Sequence, residues 1–211
     1  MMKEFSKDYL ALLTNEFKGI NLTRIEGAEE FYNKQILDSV LPIEKSKAFL
    51  TELKKTGLLV DIGFGGGFPI LPLAKALPQV RFYGFDARAK KVDVVAQIAQ
   101  RLGLTNVELR HLRVEELVFD VPSVVTFKAV GKISDFLPLI KTTEKILVCF
   151  YKGPNVYELE DIEAIEKQWD VIEEISYNVE GTEGRTFLCF RNKNVLRGTI
   201  NSKLIKLSEL L

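Results

Sequence analysis

The sequence is poor in the residues on which most metal and nucleophilic chemistry depends. It has one histidine, His111, and two cysteines, Cys149 and Cys189, each set inside an apolar run with no pairing pattern around it. Two isolated thiols supply neither a disulfide framework nor a zinc ligand set, and they suit reduced core residues of a cytosolic protein. No metal is expected. A lone histidine near a strand end is ordinarily structural, so His111 is not read as a base. There is no surplus of charge either: 29 Lys and Arg against 29 Asp and Glu leave a net charge of zero, and a polyanion would have to be met by local basic clusters. No apolar run approaches the roughly 20 residues of a membrane-spanning helix. The charged opening Met1-Met2-Lys3-Glu4-Phe5-Ser6-Lys7-Asp8 lacks the apolar middle of a signal peptide. A soluble, cytoplasmic chain with no membrane contact is expected.

What the chain does have is enough apolar material, 46% of 211 residues, for one sizeable core. It is organised around Leu58-Leu59-Val60-Asp61-Ile62-Gly63-Phe64-Gly65-Gly66-Gly67-Phe68-Pro69. This reads as a strand over 58–62, a glycine turn, and a helix from Phe68 to Leu77 with Pro69 in its first turn. One glycine would make such a turn. Four within five positions loosen the backbone needlessly unless a ligand must come close.

Upstream, helical spacing places an amphipathic helix over Phe5–Lys18, a second over 29–39 and a third over Ile43–Lys55, forming an N-terminal helical cap. Gln35 sits where an apolar residue would be the ordinary choice. Downstream, strands and helices alternate, as in βαβ units around a parallel sheet. Strands are predicted over Val80–Phe85, Asn106–Leu109, Val124–Phe127, Ile146–Tyr151, Val171–Asn178 and Thr186–Arg191, with helices over Arg88–Leu102 and Val156–Trp169. The fold class is thus α/β: a mostly parallel, Rossmann-like sheet of seven strands with helices on both faces. Residues 1–57 form the helical extension, 58–193 the core domain and 194–211 a basic tail, within one domain overall. Acids dominate between Tyr157 and Gly184 and bases from Arg185 onward. That is either a solvated acidic helix beside a basic tail or a tail that contacts phosphates.

In open α/β sheets ligands bind beyond the carboxyl ends of the strands. The dinucleotide fingerprint needs a third glycine three residues after the second, and Phe68 occupies that place. Asp61-x-Gly63-x-Gly65-x-Gly67 resembles instead the first motif of class I S-adenosylmethionine-dependent methyltransferases. Asp86 ends the second strand nineteen positions past Gly67, near the ~20-residue offset at which an acid accepts ribose hydroxyls; it could equally start the next helix. Val114 and Glu115 follow the third strand, where backbone and an acid could grip an adenine or simply be solvated. Lys128 and Lys152 end the fourth and fifth strands, and both are expected to face the crevice, where two lysines favour an anionic substrate. No Asn/Asp-Pro-Pro-Tyr-like motif follows the fourth strand and no cysteine is placed as a nucleophile, which disfavours exocyclic amines and pyrimidine carbon. A ring nitrogen such as guanine N7 has its own lone pair and needs positioning rather than a base.

Taken together, Asn21-Leu22-Thr23, Ile36-Leu37-Asp38-Ser39, the glycine loop with Pro72-Leu73-Ala74, Asp86 with Lys91-Val92, Arg113-Val114-Glu115-Glu116, Ala129-Val130 and Lys152-Gly153 resemble the bacterial 16S rRNA guanine-N7 methyltransferase family, small-subunit methyltransferase G or glucose-inhibited division protein B. The resemblance spans roughly residues 20 to 155. It implies S-adenosylmethionine at Gly63, Phe68, Asp86, Val114 and Glu115, and methylation of N7 of a guanosine in the 530 loop of 16S rRNA, naked or in the assembling small ribosomal subunit, by a monomer. The full candidate set is Asp61, Gly63, Gly65, Gly67, Phe68, Asp86, Val114, Glu115 and Lys128 for the cofactor, and Lys128 and Lys152 for catalysis. A basic patch of Arg88, Lys90, Lys91, Lys128 and Lys132 is the candidate RNA contact. The chain departs from the family at Gln35, usually His, at Lys128, usually Arg, and in its tail, where a helix-like Asn201–Leu211 stands in place of a Pro-rich segment. A nicotinamide-dependent oxidoreductase and a degenerate RNA-binding module are the rival readings.

Overall fold

The structure is a computed structural model and describes residues 1–198 and 201–211. Thr199 and Ile200, part of the tail read above, lie outside the described residues. In chain order the elements are α1 (Met2–Ala11), α2 (Ala28–Phe31), α3 (Asp38–Lys45), α4 (Lys47–Thr56), β1 (Leu58–Ile62), α5 (Ile70–Ala76), β2 (Arg81–Asp86), α6 (Ala89–Arg101), β3 (Val107–His111), β4 (Leu117–Phe119), β5 (Val124–Lys128), α7 (Ile133–Phe136), β6 (Lys141–Thr142), β7 (Leu147–Lys152), α8 (Val156–Leu159), α9 (Ile162–Glu166), β8 (Trp169–Tyr177), β9 (Arg185–Asn192) and β10 (Ile205–Lys206).

The main sheet has seven strands in the order β3-β2-β1-β5-β7-β9-β8. All run parallel except β9, which pairs antiparallel with both neighbours. β1 is buried along its whole length, as an inner strand covered on both faces must be. Period-two alternation divides its side chains: Leu59 joins Val124, Leu147 and Phe82 under the N-terminal helices, α5 and α6, while Leu58, Val60 and Ile62 join Val125, Phe127 and Phe150 on the opposite face.

The third predicted helix is interrupted at Ser46, whose hydroxyl accepts the Phe49 N–H at 3.1 Å, while the Glu173 carboxylate accepts the Lys47 and Ala48 N–H groups at 3.1 and 3.0 Å. α4 therefore starts afresh with a double cap. The helix expected over Val156–Trp169 is two short helices, because Glu160 turns inward and becomes buried; Trp169 already belongs to β8. The helix expected over Asn201–Leu211 is overturned as well. Ile205 and Lys206 pair in parallel with Leu117 and Val118, completing a small sheet of order β10-β4-β6, and a single turn at Leu207–Glu209 follows. Buried Leu207 and the Asp120 carboxylate, which accepts the Ser208 N–H at 2.9 Å, fix that turn.

The N-terminal cap grips the glycine loop from behind. The buried Tyr9 hydroxyl donates to the Gly66 carbonyl, and its ring stacks on Phe68 with centroids 5.1 Å apart. A Cβ on Gly67 would collide with that hydroxyl. Gly67 is small for packing of the cap.

Candidate active site

The strand order reverses between β1 and β5, so the loops leaving their carboxyl ends diverge and open a crevice. Its volume is about 770 Å³. Gly63, Phe64, Gly65, Gly66 and Phe68 form its floor, Asp86 to Arg88 and Lys91 one side, Leu112 to Glu115 the next, and Lys128 to Val130 with Asp135, Phe136 and Leu139 the opposite wall; Leu22 and Gln35 reach in from the N-terminal segment.

Asp86 sits at the base of this space. One carboxylate oxygen accepts the Gly65 N–H at 2.9 Å and the other the Arg88 N–H at 2.9 Å, so a single side chain fixes both the loop and the entry to α6. Its remaining lone pairs are available to hydroxyl donors. Gly65 has φ +56°, and a Cβ there would meet nothing nearer than 3.8 Å; the position opens onto the crevice. Val114 is buried in a short turn closed by Glu116, which accepts the Arg113 N–H at 3.0 Å, and Glu115 is exposed at the rim. Glycine floor, acid and rim acid fit an adenosyl group: backbone that lets it approach and a carboxylate for its sugar.

Three expected residues are not in the crevice. Gly67 faces Tyr9, as described. Asp61 is fully buried beneath the loop, where Thr126 donates to one of its oxygens at 2.8 Å. Burial pushes its carboxyl up to about 8, with Asp86 adding to the rise, against the Thr126 hydroxyl, the Ile70 backbone amide and Lys128, which pull it down. The folded chain thus holds a proton that the unfolded chain releases near pH 4, and stability falls as pH rises from about 4 to about 8, then levels off. Asp61→Asn is expected to abolish that decline, so that its Tm relative to wild type climbs by several degrees between about pH 6 and 8.5; melting curves in which the two proteins keep a constant gap would refute the assignment.

Lys152, read as facing the crevice, is turned away from it. Its ammonium lies 2.6 Å from the Gly131 carbonyl and 2.6 Å from Glu160, whose side chain is 1% exposed. A buried carboxylate demands a cation, and Lys152 is the one at hand. Lys128 does line the crevice, 3.2 Å from Asp38 and 3.5 Å from Gln35 Oε1. Asp38, buried at the head of α3, also takes Arg185 at 3.3 Å and the Tyr177 hydroxyl at 3.4 Å. Sequence reasoning assigned Asp38 no role; the polar Gln35 three residues before it, out of place on an apolar side, was the available signal.

Of the basic patch, Arg88, Lys91 and Lys128 line the crevice with Arg113, and Lys90 and Lys132 are exposed. The cations that open the basic tract are engaged internally: Arg185 with Asp38, Arg191 with Glu52 at 2.6 Å and Lys193 with Asp170 at 3.4 Å. Neither a wholly solvated run nor a free phosphate-binding tract describes them. His111 is exposed, its ring Nε2 3.1 Å from the Ala87 carbonyl. Cys149 and Cys189 are free and buried. Among the described residues no group of three His, Cys, Asp or Glu could hold a metal ion, and no helix is long and apolar enough to cross a membrane.

Known proteins match this chain in sequence and in fold. The family described as rRNA small subunit methyltransferase G (GidB) matches residues 2–188. Ribosomal RNA small subunit methyltransferase G of Flavobacterium psychrophilum is 33% identical over 192 residues, covering 88% of this chain and 85% of that protein. The Petrotoga mobilis protein of the same name is 31% identical over 195 residues, covering 87% and 83%. The Sorangium cellulosum protein of that name is 40% identical over 141 residues, covering 63% of this chain, and the chain spans about half of it, 55%. Among solved structures, the mitomycin 7-O-methyltransferase MmcR aligns with a TM-score of 0.52 at 14% identity, covering 87% of this chain and 60% of that one, and the StiE O-MT segment with 0.53 at 12%, covering 89% and 82%; at these identities they show the fold alone. The family match over residues 2–188 and relatives 33% and 31% identical over most of its length place this chain in the rRNA small subunit methyltransferase G family of S-adenosylmethionine-dependent methyltransferases.

Proposed function

We propose that the chain transfers a methyl group from S-adenosylmethionine to N7 of a guanosine in the 530 loop of 16S rRNA, by direct in-line attack and without a general base. The observation that carries this reading is the acceptor wall of the crevice: Lys128, Ala129 and Val130 at the end of β5 offer no histidine, cysteine or base-clamping Asn-Pro-Pro-Tyr-like turn. N7 attacks with a lone pair and loses no proton, so such a wall is sufficient. The cofactor supplies a methyl group made electrophilic by its sulfonium.

In this reading Asp86 receives the ribose hydroxyls, the floor from Gly63 to Phe68 lies under the adenosyl group, and Val114 and Glu115 hold the adenine. Lys128 stands at the rim on the acceptor side. Arg88, Lys91 and Arg113 flank the opening as local cations that draw phosphates to a chain of zero net charge. The protein acts as a monomer.

The test is transfer of tritiated methyl from the cofactor to small-subunit RNA, presented naked and as assembling subunits, with borohydride and aniline scission to locate N7-methylguanosine. Scission within the 530 loop is expected. Label placed elsewhere, or none despite intact cofactor binding, overturns the proposal. A thermal shift given by NAD in place of S-adenosylmethionine would favour the oxidoreductase; saturation at a hundred times Kd adds about 2.7 kcal/mol and is readily seen.

A further inference from the structure

One carboxylate at the edge of the crevice gathers more partners than a surface ion pair needs. Asp38, 1% exposed, takes the Lys128 ammonium on one oxygen at 3.2 Å, and Arg185 with the Tyr177 hydroxyl on the other at 3.3 and 3.4 Å. With both oxygens engaged it cannot rotate away from Lys128. The ammonium has three N–H donors. Asp38 takes one, and Gln35 Oε1 at 3.5 Å takes a second. The third is left for whatever occupies the crevice, which Lys128 lines while only 12% exposed.

We propose that Asp38 is a positioning residue for methyl transfer: with Gln35 as second tether, it holds the Lys128 ammonium at the end of β5 so that its remaining N–H meets an acceptor oxygen of the incoming nucleotide. The inference rests on the N7-methylation reading above. It also answers a problem of charge. As the N7–carbon bond forms, the sulfur–carbon bond breaks with its electron pair going to sulfur, no proton leaves, and the positive charge of the sulfonium passes to the purine. An untethered ammonium on a flexible four-carbon stem would be free to swing over the base and oppose that charge. Asp38 keeps it at the rim and offsets it.

The test is a double-mutant cycle on the full chain with tritiated S-adenosylmethionine and small-subunit RNA, comparing wild type, Asp38→Asn, Lys128→Met and the double variant. Each single change is expected to lower kcat at saturating S-adenosylmethionine about tenfold or more; because Lys128 is also a candidate cofactor contact, saturation keeps any loss of cofactor affinity out of the comparison, and what remains acts on the chemical step. The double variant should be no slower than Lys128→Met alone. Losses that multiply overturn the proposal, because Asp38 would then act independently of Lys128. Where Asp38→Asn fails to fold, Gln35→Leu takes its place in the same cycle with the same two outcomes. The salt dependence of RNA binding tells which oxygen is met: in Lys128→Met a slope smaller by about one identifies a phosphate, and an unchanged slope a base carbonyl. A wild type that binds cofactor but leaves N7 unlabelled defeats the functional reading and this inference with it. Labelled RNA with multiplicative losses defeats this inference alone.

Discussion

Gly65→Asp is expected to abolish binding of S-adenosylmethionine in a chain that still folds. The backbone at this residue has φ +56°, a region that Asp tolerates better than most side chains, so the turn itself survives. What does not survive is the space. The new side chain projects into the crevice from its floor, where a Cβ stands 3.8 Å from the Gly63 carbonyl and 3.8 Å from Lys91 Nζ, so its carboxylate is drawn to the Lys91 ammonium across the space above the loop. The added atoms occupy that space, and the adenosyl group loses its closest approach to the backbone. The affinity should fall by more than about a hundredfold, equivalent to about 2.7 kcal/mol, and the cofactor-induced thermal shift should vanish. Calorimetric titration checks this, with circular dichroism to show an intact fold. Affinity retained to within about threefold would mean that the ligand does not lie on this loop.

Lys152→Met should destabilise the fold more than any change to an exposed lysine. Glu160 gives its carboxylate to the Ile133 N–H at 2.9 Å and the Ser134 N–H at 3.3 Å, capping α7, and Lys152 closes the arrangement from the other side. Removing the cation strands a charge that is 1% exposed, which costs about 3 kcal/mol and lowers Tm by roughly 6–12 °C. Lys152 also donates to the Gly131 carbonyl, so the segment from Ala129 to Phe136, one wall of the crevice, loosens and transfer slows. Adding Glu160→Gln to Lys152→Met should recover part of the lost Tm, since no buried charge then remains unpaired. Unchanged melting with collapsed kcat would instead place Lys152 on the substrate, as its position at a strand end first suggested.

The parts of this protein that repeat a short physical rule could be read from its residues. Seven strands declare themselves by apolar runs between helical spacings, and the glycines at 63, 65 and 66 followed by Asp86 mark the floor and the acid of one crevice. The parts that were missed depend on distant partners. β4, β6 and β10 are two or three residues long, too short for a period to show. Glu160 looks like one acid in a run of ten, and its inward turn is set by backbone donors 27 residues earlier. Asp38 lies on an ordinary helix until β5, β8 and β9 bring Lys128, Tyr177 and Arg185 to it. Asp61 and Gly67 sit within the motif yet outside the crevice, because a loop has a back as well as a front.

The hold of Tyr9 on that back has a kinetic meaning. The buried Tyr9 hydroxyl, carried on α1, holds the Gly66 peptide from behind the loop. Loosening that hold, as in Tyr9→Phe, should raise the order that has to be created when a ligand docks on the front of the loop, and so shorten the ligand's residence time.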